Sequence, residues 1–181
     1  MNEEKFEFPE LSKVLAVLLV EQGSYTYIDK LAQASSKDLA LYHVRETLRD
    51  YNSLLGRGIA NEEAKIIADL INFSSVEREI EKIGKASSIS DLREIVSLIS
   101  AQALAEAARI KSRRTYSVSI RIFDYLKNKG KSFNTVEDLR ESIKSDKKEI
   151  AEKLNVEEDI IEEVAENRPL LKSLIKKRGG A

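Results

Sequence analysis

The sequence predicts an all-α protein: a helical bundle followed by a small acidic helical segment at the C-terminus. Apolar residues recur at intervals of three and four along most of the chain, as they do on one face of a helix. Residues that cap helix N-termini precede these stretches. The 181 residues include only two prolines and seven glycines, so few positions would interrupt a helix.

Five helices are predicted before residue 85, each behind a helix-start signal. The signals are Pro9, Ser24, Ser35, Asn61 and Ser74. The third helix has the clearest apolar seam, spaced by three, four, three and four residues: Leu41, Val44, Leu48, Tyr51 and Leu55. In the fourth helix we expect four apolar side chains to be buried: Ile66, Ile67, Leu70 and Ile71.

A long sixth helix is predicted from Ser88 to about Gly130. Its one ambiguous part is 116–122, where apolar and polar residues alternate as in a half-buried strand. Since isolated strands are unstable and no partner strand is evident elsewhere, the segment is expected to be helical.

The composition changes from Phe133 onward. Residues 134–168 include twelve acidic and six basic side chains, and short helices are expected after Thr135, Asp146 and Asn155. We therefore predict two domains. Residues 1–131 form a helical core domain with a basic C-terminal face, and residues 132–181 form an acidic helical appendage with a basic tail.

Several kinds of chemistry are not expected. The chain has no cysteine and one histidine, His43, so zinc sites built from those ligands and Cys–His pairs are excluded. There is no P-loop or dinucleotide-binding glycine motif. We predict no catalytic, cofactor-binding or metal-binding residue. The longest purely apolar run, 14–20, is too short to cross a membrane, and a cytoplasmic location is expected.

The most function-like feature is a basic run at 109–131, which contains eight basic residues and one acidic residue. Lysine and arginine side chains attract nucleic-acid phosphates independently of base sequence, and nearby tyrosines can stack on bases. The predicted nucleic-acid-binding residues are Arg109, Lys111, Arg113, Arg114, Arg121 and Lys127. The alternative interpretation is a solvated helix face without a ligand.

Two other patterns are candidates for binding. Residues 148–164 have the spacing of a helix-turn-helix, but six of the ten residues at 157–166 are acidic, which opposes insertion into a phosphate-lined groove. A second pattern is the polar-aromatic face formed by Tyr42, Arg45 and Arg49 on the third helix. Nearby acidic residues dilute its charge, so a surface salt-bridge lattice is an equally good interpretation.

The chain resembles the small subunit of archaeal type I-A CRISPR interference complexes, mainly over 11–130. The resemblance is carried by SYTYIDKLA at 24–32 and VRETLRDYNSLL at 44–55. It implies a non-enzymatic subunit of a Cascade-like antiviral ribonucleoprotein, present in several copies. Its partners would be other protein subunits and single-stranded DNA or the crRNA–DNA R-loop. The alternatives are a helix-turn-helix DNA-binding regulator and an oligomeric helical scaffold without nucleic acid.

Overall fold

The computed structural model describes residues 7–178 and confirms the all-α prediction. These residues form ten helices and no strand, and 81% of them are helical. The helices are α1 (Pro9–Gln22), α2 (Thr26–Ala32), α3 (Lys37–Arg57), α4 (Glu62–Asp69), α5 (Phe73–Gly84), α6 (Ile89–Asn128), α7 (Val136–Ser145), α8 (Lys147–Leu154), α9 (Glu158–Glu166) and α10 (Arg168–Arg178). Residues 1–6 and 179–181, which belong to the two predicted domains, lie outside the described part.

Two compact units divide the chain between Lys111 and Ser112. Unit 1 contains α1–α5 and the first part of α6, and unit 2 contains the rest of α6 with α7–α10. The predicted boundary after residue 131 differs from this division and falls inside unit 2. The physical reason is that Val118, Ile122, Phe123 and Leu126 of α6 are buried in the same core as residues of α7–α10.

Helix α1 is the central element of unit 1. Its residues from Leu11 to Leu19 are all buried except Lys13, so apolar side chains point to nearly every side of the helix. A helix with apolar side chains on every side must be covered by other helices on every side. Helices α3, α4 and α5 supply them by packing against α1.

The predicted burial of α4 is correct for one face only. Ile67 and Ile71 are buried, together with Ala64 and Ala68, whereas Ile66 is 51% exposed and Leu70 is 64% exposed. Ala64, Ile67, Ala68 and Ile71 follow the three-and-four spacing of one helix face, and α4 packs against α1. Leu55 of α3 is likewise exposed, and Leu54 takes the buried place instead.

Unit 2 has its own core. The buried part of α6 joins α7, α9 and α10, which pack against one another, and α8 packs against α9. Phe123 and Phe133 meet in this core with ring centroids 5.9 Å apart. Residues 116–122 are helical, as predicted, because α6 continues through them.

Side-chain caps begin several helices as expected. The side chains of Asn61 and Thr135 accept hydrogen bonds from backbone N–H groups of α4 and α7. At α5 the predicted cap was Ser74, but the side chain of Asn72 accepts from the N–H groups of Ser74 and Ser75 instead. Helix α5 therefore begins at Phe73, one residue earlier than the predicted cap.

Tyr51 is an exception to the rule that buried polar groups are paired. Its side chain is fully buried in α3, and its hydroxyl has no hydrogen-bond partner within 7–178. Burial, with a smaller contribution from the charge of Asp69, raises the pKa of Tyr51 to about 12. The hydroxyl therefore carries a desolvation cost that no hydrogen bond offsets.

We expect Tyr51→Phe to leave the free energy of unfolding unchanged or to raise it by up to about 1 kcal/mol, because the change removes an unpaired hydroxyl and keeps the ring. Urea unfolding monitored by circular dichroism would measure this difference. A loss greater than about 1 kcal/mol would show that the hydroxyl makes a stabilising hydrogen bond in solution.

Candidate nucleic-acid interface

All six predicted nucleic-acid-binding residues lie on α6, but they divide between the two units. Arg109 and Lys111 are at the end of unit 1, whereas Arg113, Arg114, Arg121 and Lys127 belong to unit 2. Arg109 is exposed and donates to the carboxylate of Glu106 at 2.6 Å, an exposed pair on one helix face. Lys111 is exposed as well.

Two of the predicted nucleic-acid-binding residues in unit 2 make hydrogen bonds within that unit. The guanidinium of Arg121 donates to the carbonyl oxygen of Leu154 at 2.7 Å. That carbonyl is the last of α8, so Arg121 satisfies an unpaired acceptor at a helix C-terminus. The ammonium of Lys127 donates to the carbonyl oxygen of Arg178 at 3.3 Å and lies 5.7 Å from the ring centroid of Phe123.

The basic run ends in ion pairs with the acidic segment. The ammonium of Lys129 is 2.8 Å from Glu149, and that of Lys131 is 2.7 Å from Asp146. The hydrogen bond from Lys129 lowers the pKa of Glu149, and the hydrogen bond from Lys131 lowers the pKa of Asp146. These lysines therefore neutralise carboxylates of unit 2 and are poor candidates for phosphate contacts.

Arg113 and Arg114 differ from the rest of the run in unit 2. Neither makes a hydrogen bond or an ion pair with any residue between 7 and 178, and Arg113 is exposed while Arg114 is half-buried. Tyr116, two positions further along α6, is 49% exposed. It lines a crevice of about 390 Å³ in unit 2, together with Ser112, Thr115, Glu163, Asn167 and Leu170. Two cations and an aromatic ring are therefore available to a ligand.

The helix-turn-helix pattern corresponds to α8 and α9. Asn155 connects them in the left-handed conformation with φ of 52°, a position that asparagine tolerates. Lys147 at the start of α8 is 3.0 Å from Glu162 of α9. Glu157, Glu158 and Asp159 are exposed at the start of α9, where a recognition helix would contact bases. Their charge would repel DNA phosphates.

The described residues contain neither a metal-ligand cluster nor a membrane-spanning helix. Across 7–178, no group of three or more histidine, aspartate or glutamate side chains could hold a metal ion. None of the helices in this range is long and apolar enough to cross a membrane. His43 is half-buried, with its ring centroid 5.6 Å from that of Tyr42.

The polar-aromatic face that the sequence predicts on α3 is part of a second cationic and aromatic surface, in unit 1, to which Phe73 also belongs. A groove of about 380 Å³ between α3 and α5 is lined by Arg45, Leu48, Arg49, Asn52, Phe73, Val76 and Glu77. The sequence indicates the two arginines but not Phe73, because the capping-box pattern places the start of α5 at Ser74. The cap at Asn72 was the available signal, since it makes Phe73 the first residue of α5.

Comparison with known proteins identifies an archaeal relative of the chain. No protein-family model and no solved structure matches it. A protein of Archaeoglobus fulgidus named "Uncharacterized protein" is 47% identical over 104 residues, which make up 57% of this chain and 90% of the relative. The aligned stretch is longer than unit 2, so part of it lies in unit 1. The chain belongs to the same protein family as this archaeal protein.

Proposed function

We propose that the protein is a non-enzymatic subunit of a nucleic-acid-handling complex, in which Arg113 and Arg114 hold backbone phosphates. The observation that carries the proposal is that these two arginines have no partner within 7–178, whereas the basic residues that follow them up to Lys131 are paired inside unit 2. The resemblance to the type I-A CRISPR small subunit supports the same role.

Guanidinium groups suit this role because they bind phosphate oxygens through two parallel hydrogen bonds. The exposed ring of Tyr116 lies three residues beyond Arg113, on the same face of α6, and offers a surface on which a base can stack. Two phosphate contacts give weak binding, and the formal net charge of −1 adds no long-range attraction. A complex that presents several such subunits along one strand would gain affinity through multivalency.

The test is the salt dependence of binding to a single strand. We expect R113Q/R114Q to weaken binding of fluorescein-labelled oligothymidylate and to reduce the slope of log K against log salt by about 1.4, since each contact to a single strand contributes about 0.7. Fluorescence anisotropy at several salt concentrations measures both quantities. Because backbone contacts carry no sequence information, unrelated sequences should lose affinity equally.

The matched control is K148Q/K153Q, which removes two positive charges from exposed positions of α8. We expect this variant to keep the wild-type salt slope. A folded R113Q/R114Q protein whose slope equals that of the control would refute the phosphate-binding role. A marked preference among duplex sequences would favour the helix-turn-helix regulator instead, and self-association without nucleic-acid binding would favour the scaffold.

A further inference from the structure

The groove between α3 and α5 combines three groups suited to a nucleic acid. On α3, Tyr42, Arg45, Arg49 and Asn52 follow one another at intervals of three, four and three residues, so they share one exposed face. Helix α5 contributes Phe73, which lines the groove opposite the arginines. The floor is apolar, since Val76 is buried and Leu48 is half-buried.

Phe73 is presented to solvent from a fixed position. It is the first residue of α5, after the cap at Asn72, and its side chain is 47% exposed. Its ring centroid is 6.3 Å from that of the fully buried Tyr51, with 50° between the ring planes. One side of the Phe73 ring therefore packs on the core of unit 1, and the exposed part of the ring is available to a ligand.

The charges along the groove favour an anion. Arg45 has no hydrogen-bond or salt-bridge partner within 7–178. Arg49 approaches Asp50 through Nε at 3.5 Å, which leaves its terminal nitrogens available, and Asp50 already accepts from the hydroxyl of Tyr27 at 2.6 Å. Glu77 is the one carboxylate that lines the groove, and the two arginines outnumber it.

We propose that this groove is a binding site for single-stranded nucleic acid, with a base stacked on Phe73 and phosphates held by Arg45 and Arg49. The arginines are one turn apart, about 6 Å along the helix axis, so one strand can contact both. The ligand is a nucleic acid and not a peptide because the exposed apolar group in the groove is a flat aromatic ring, which stacks on any base. This inference rests on the proposed function and adds a second contact site, in unit 1.

A tryptophan reporter can test the stacking directly, because the chain contains no tryptophan. In F73W we expect the fluorescence to be quenched in a saturable way by oligothymidylate of about 12 nucleotides, within the range of strand lengths that such sites bind. The same titration with oligouridylate distinguishes DNA from RNA. The matched control is Y25W, since Tyr25 is also exposed but does not line the groove, and its fluorescence should remain unchanged.

The arginines are tested in the same background. We expect F73W/R45Q/R49Q to bind more weakly and to lose about 1.4 from the salt slope of the quenching titration. In the chain without tryptophan, F73A should weaken binding about fivefold or more, the effect of losing one stacked base. Circular dichroism confirms that each variant is folded.

These outcomes separate the groove from the α6 site. Quenching in F73W that requires more oligonucleotide and has a lower salt slope in F73W/R45Q/R49Q supports the groove, whatever R113Q/R114Q does to the anisotropy titration. Absence of quenching in F73W refutes the groove, even if R113Q/R114Q shows the expected loss of slope. Equal quenching in Y25W, or quenching unaffected by R45Q/R49Q, also refutes it, because the contact would then not depend on the groove.

Discussion

Phe123→Ala is expected to lower the free energy of unfolding of unit 2 by about 3–5 kcal/mol, the range measured for large-to-small changes of buried aromatic residues. Phe123 is almost fully buried in the core of unit 2 and packs beside Phe133. Alanine would leave a cavity among residues of α6, α7, α9 and α10 that can relax only in part. Amide hydrogen exchange in α7–α10 would measure the loss of protection.

The control for this change is Tyr116→Ala on the same helix. Tyr116 is exposed, so its loss is expected to change stability by no more than about 0.5 kcal/mol. Amides of α1–α5 should keep their protection in Phe123→Ala, because the core of unit 1 contains no residue beyond Ile110. A similar loss of protection in α1–α5 would contradict the division of the chain at residue 111.

Local signals predict nine of the ten helices of residues 7–178, and α10 (Arg168–Arg178) is the one that the sequence analysis does not predict. A cap and the apolar spacing behind it are contained within one helix, and the caps at Asn61 and Thr135 make the expected hydrogen bonds. The same logic correctly extended α6 through 116–122. At α5 the capping-box pattern predicts Ser74 as the cap, whereas Asn72, two residues earlier, makes the capping hydrogen bonds.

Tertiary partners were harder to predict from the sequence. Helical spacing shows which residues share a face but not which element covers that face. Ile66 and Leu70 are as apolar as Ile67 and Ile71, yet only the second pair is buried. For the same reason, the sequence did not show that the apolar residues of α6 after Lys111 share a core with the acidic segment.

The candidate sites show the same limit. The sequence shows the excess of basic residues at 109–131, but it does not show which of them form hydrogen bonds or ion pairs. The partners are far away in the chain: Arg121 donates to Leu154, and Lys129 donates to Glu149. The structure reduces the basic run in unit 2 to Arg113 and Arg114 as cations available to a ligand. The structure also places Phe73 beside Arg45 and Arg49 of α3. In the sequence, the acidic residues near these arginines make a salt-bridge lattice an equally good interpretation of that face.

A second large effect is expected at the start of α1. Glu79 of α5 is only 4% exposed, and its carboxylate accepts hydrogen bonds from the backbone N–H groups of Glu10 at 3.1 Å and Leu11 at 2.9 Å. It therefore caps α1 from another helix, at the positive end of the helix dipole. Glu79→Ala would leave two N–H groups without these acceptors, and we expect a loss of about 2–4 kcal/mol in urea unfolding.

The Glu79→Gln variant separates hydrogen bonding from charge. One amide oxygen replaces two carboxylate oxygens, so we expect a smaller loss, about 1–2 kcal/mol. Burial raises the pKa of Glu79, and the charge of Glu10 raises it further. The two backbone hydrogen bonds and the charge of Lys82 lower it, but burial is the largest effect. A raised pKa means that the folded state binds the proton more tightly than the unfolded state. Proton binding by Glu79 therefore stabilises the folded state. This contribution is fully present below the pKa of Glu79 in the unfolded state, about 4.3, and is lost as pH rises through its pKa in the folded state.

Over that pH range the unfolding free energy of the wild type should thus fall relative to that of Glu79→Gln, and the cost of the substitution should shrink. Parallel urea unfolding of both proteins across acidic pH measures this difference, and the comparison cancels the contributions of the other carboxylates. A cost that grows as pH rises would show that the hydrogen bonds from Glu10 and Leu11 outweigh desolvation. Glu79 would then stabilise α1 mainly as a charged cap.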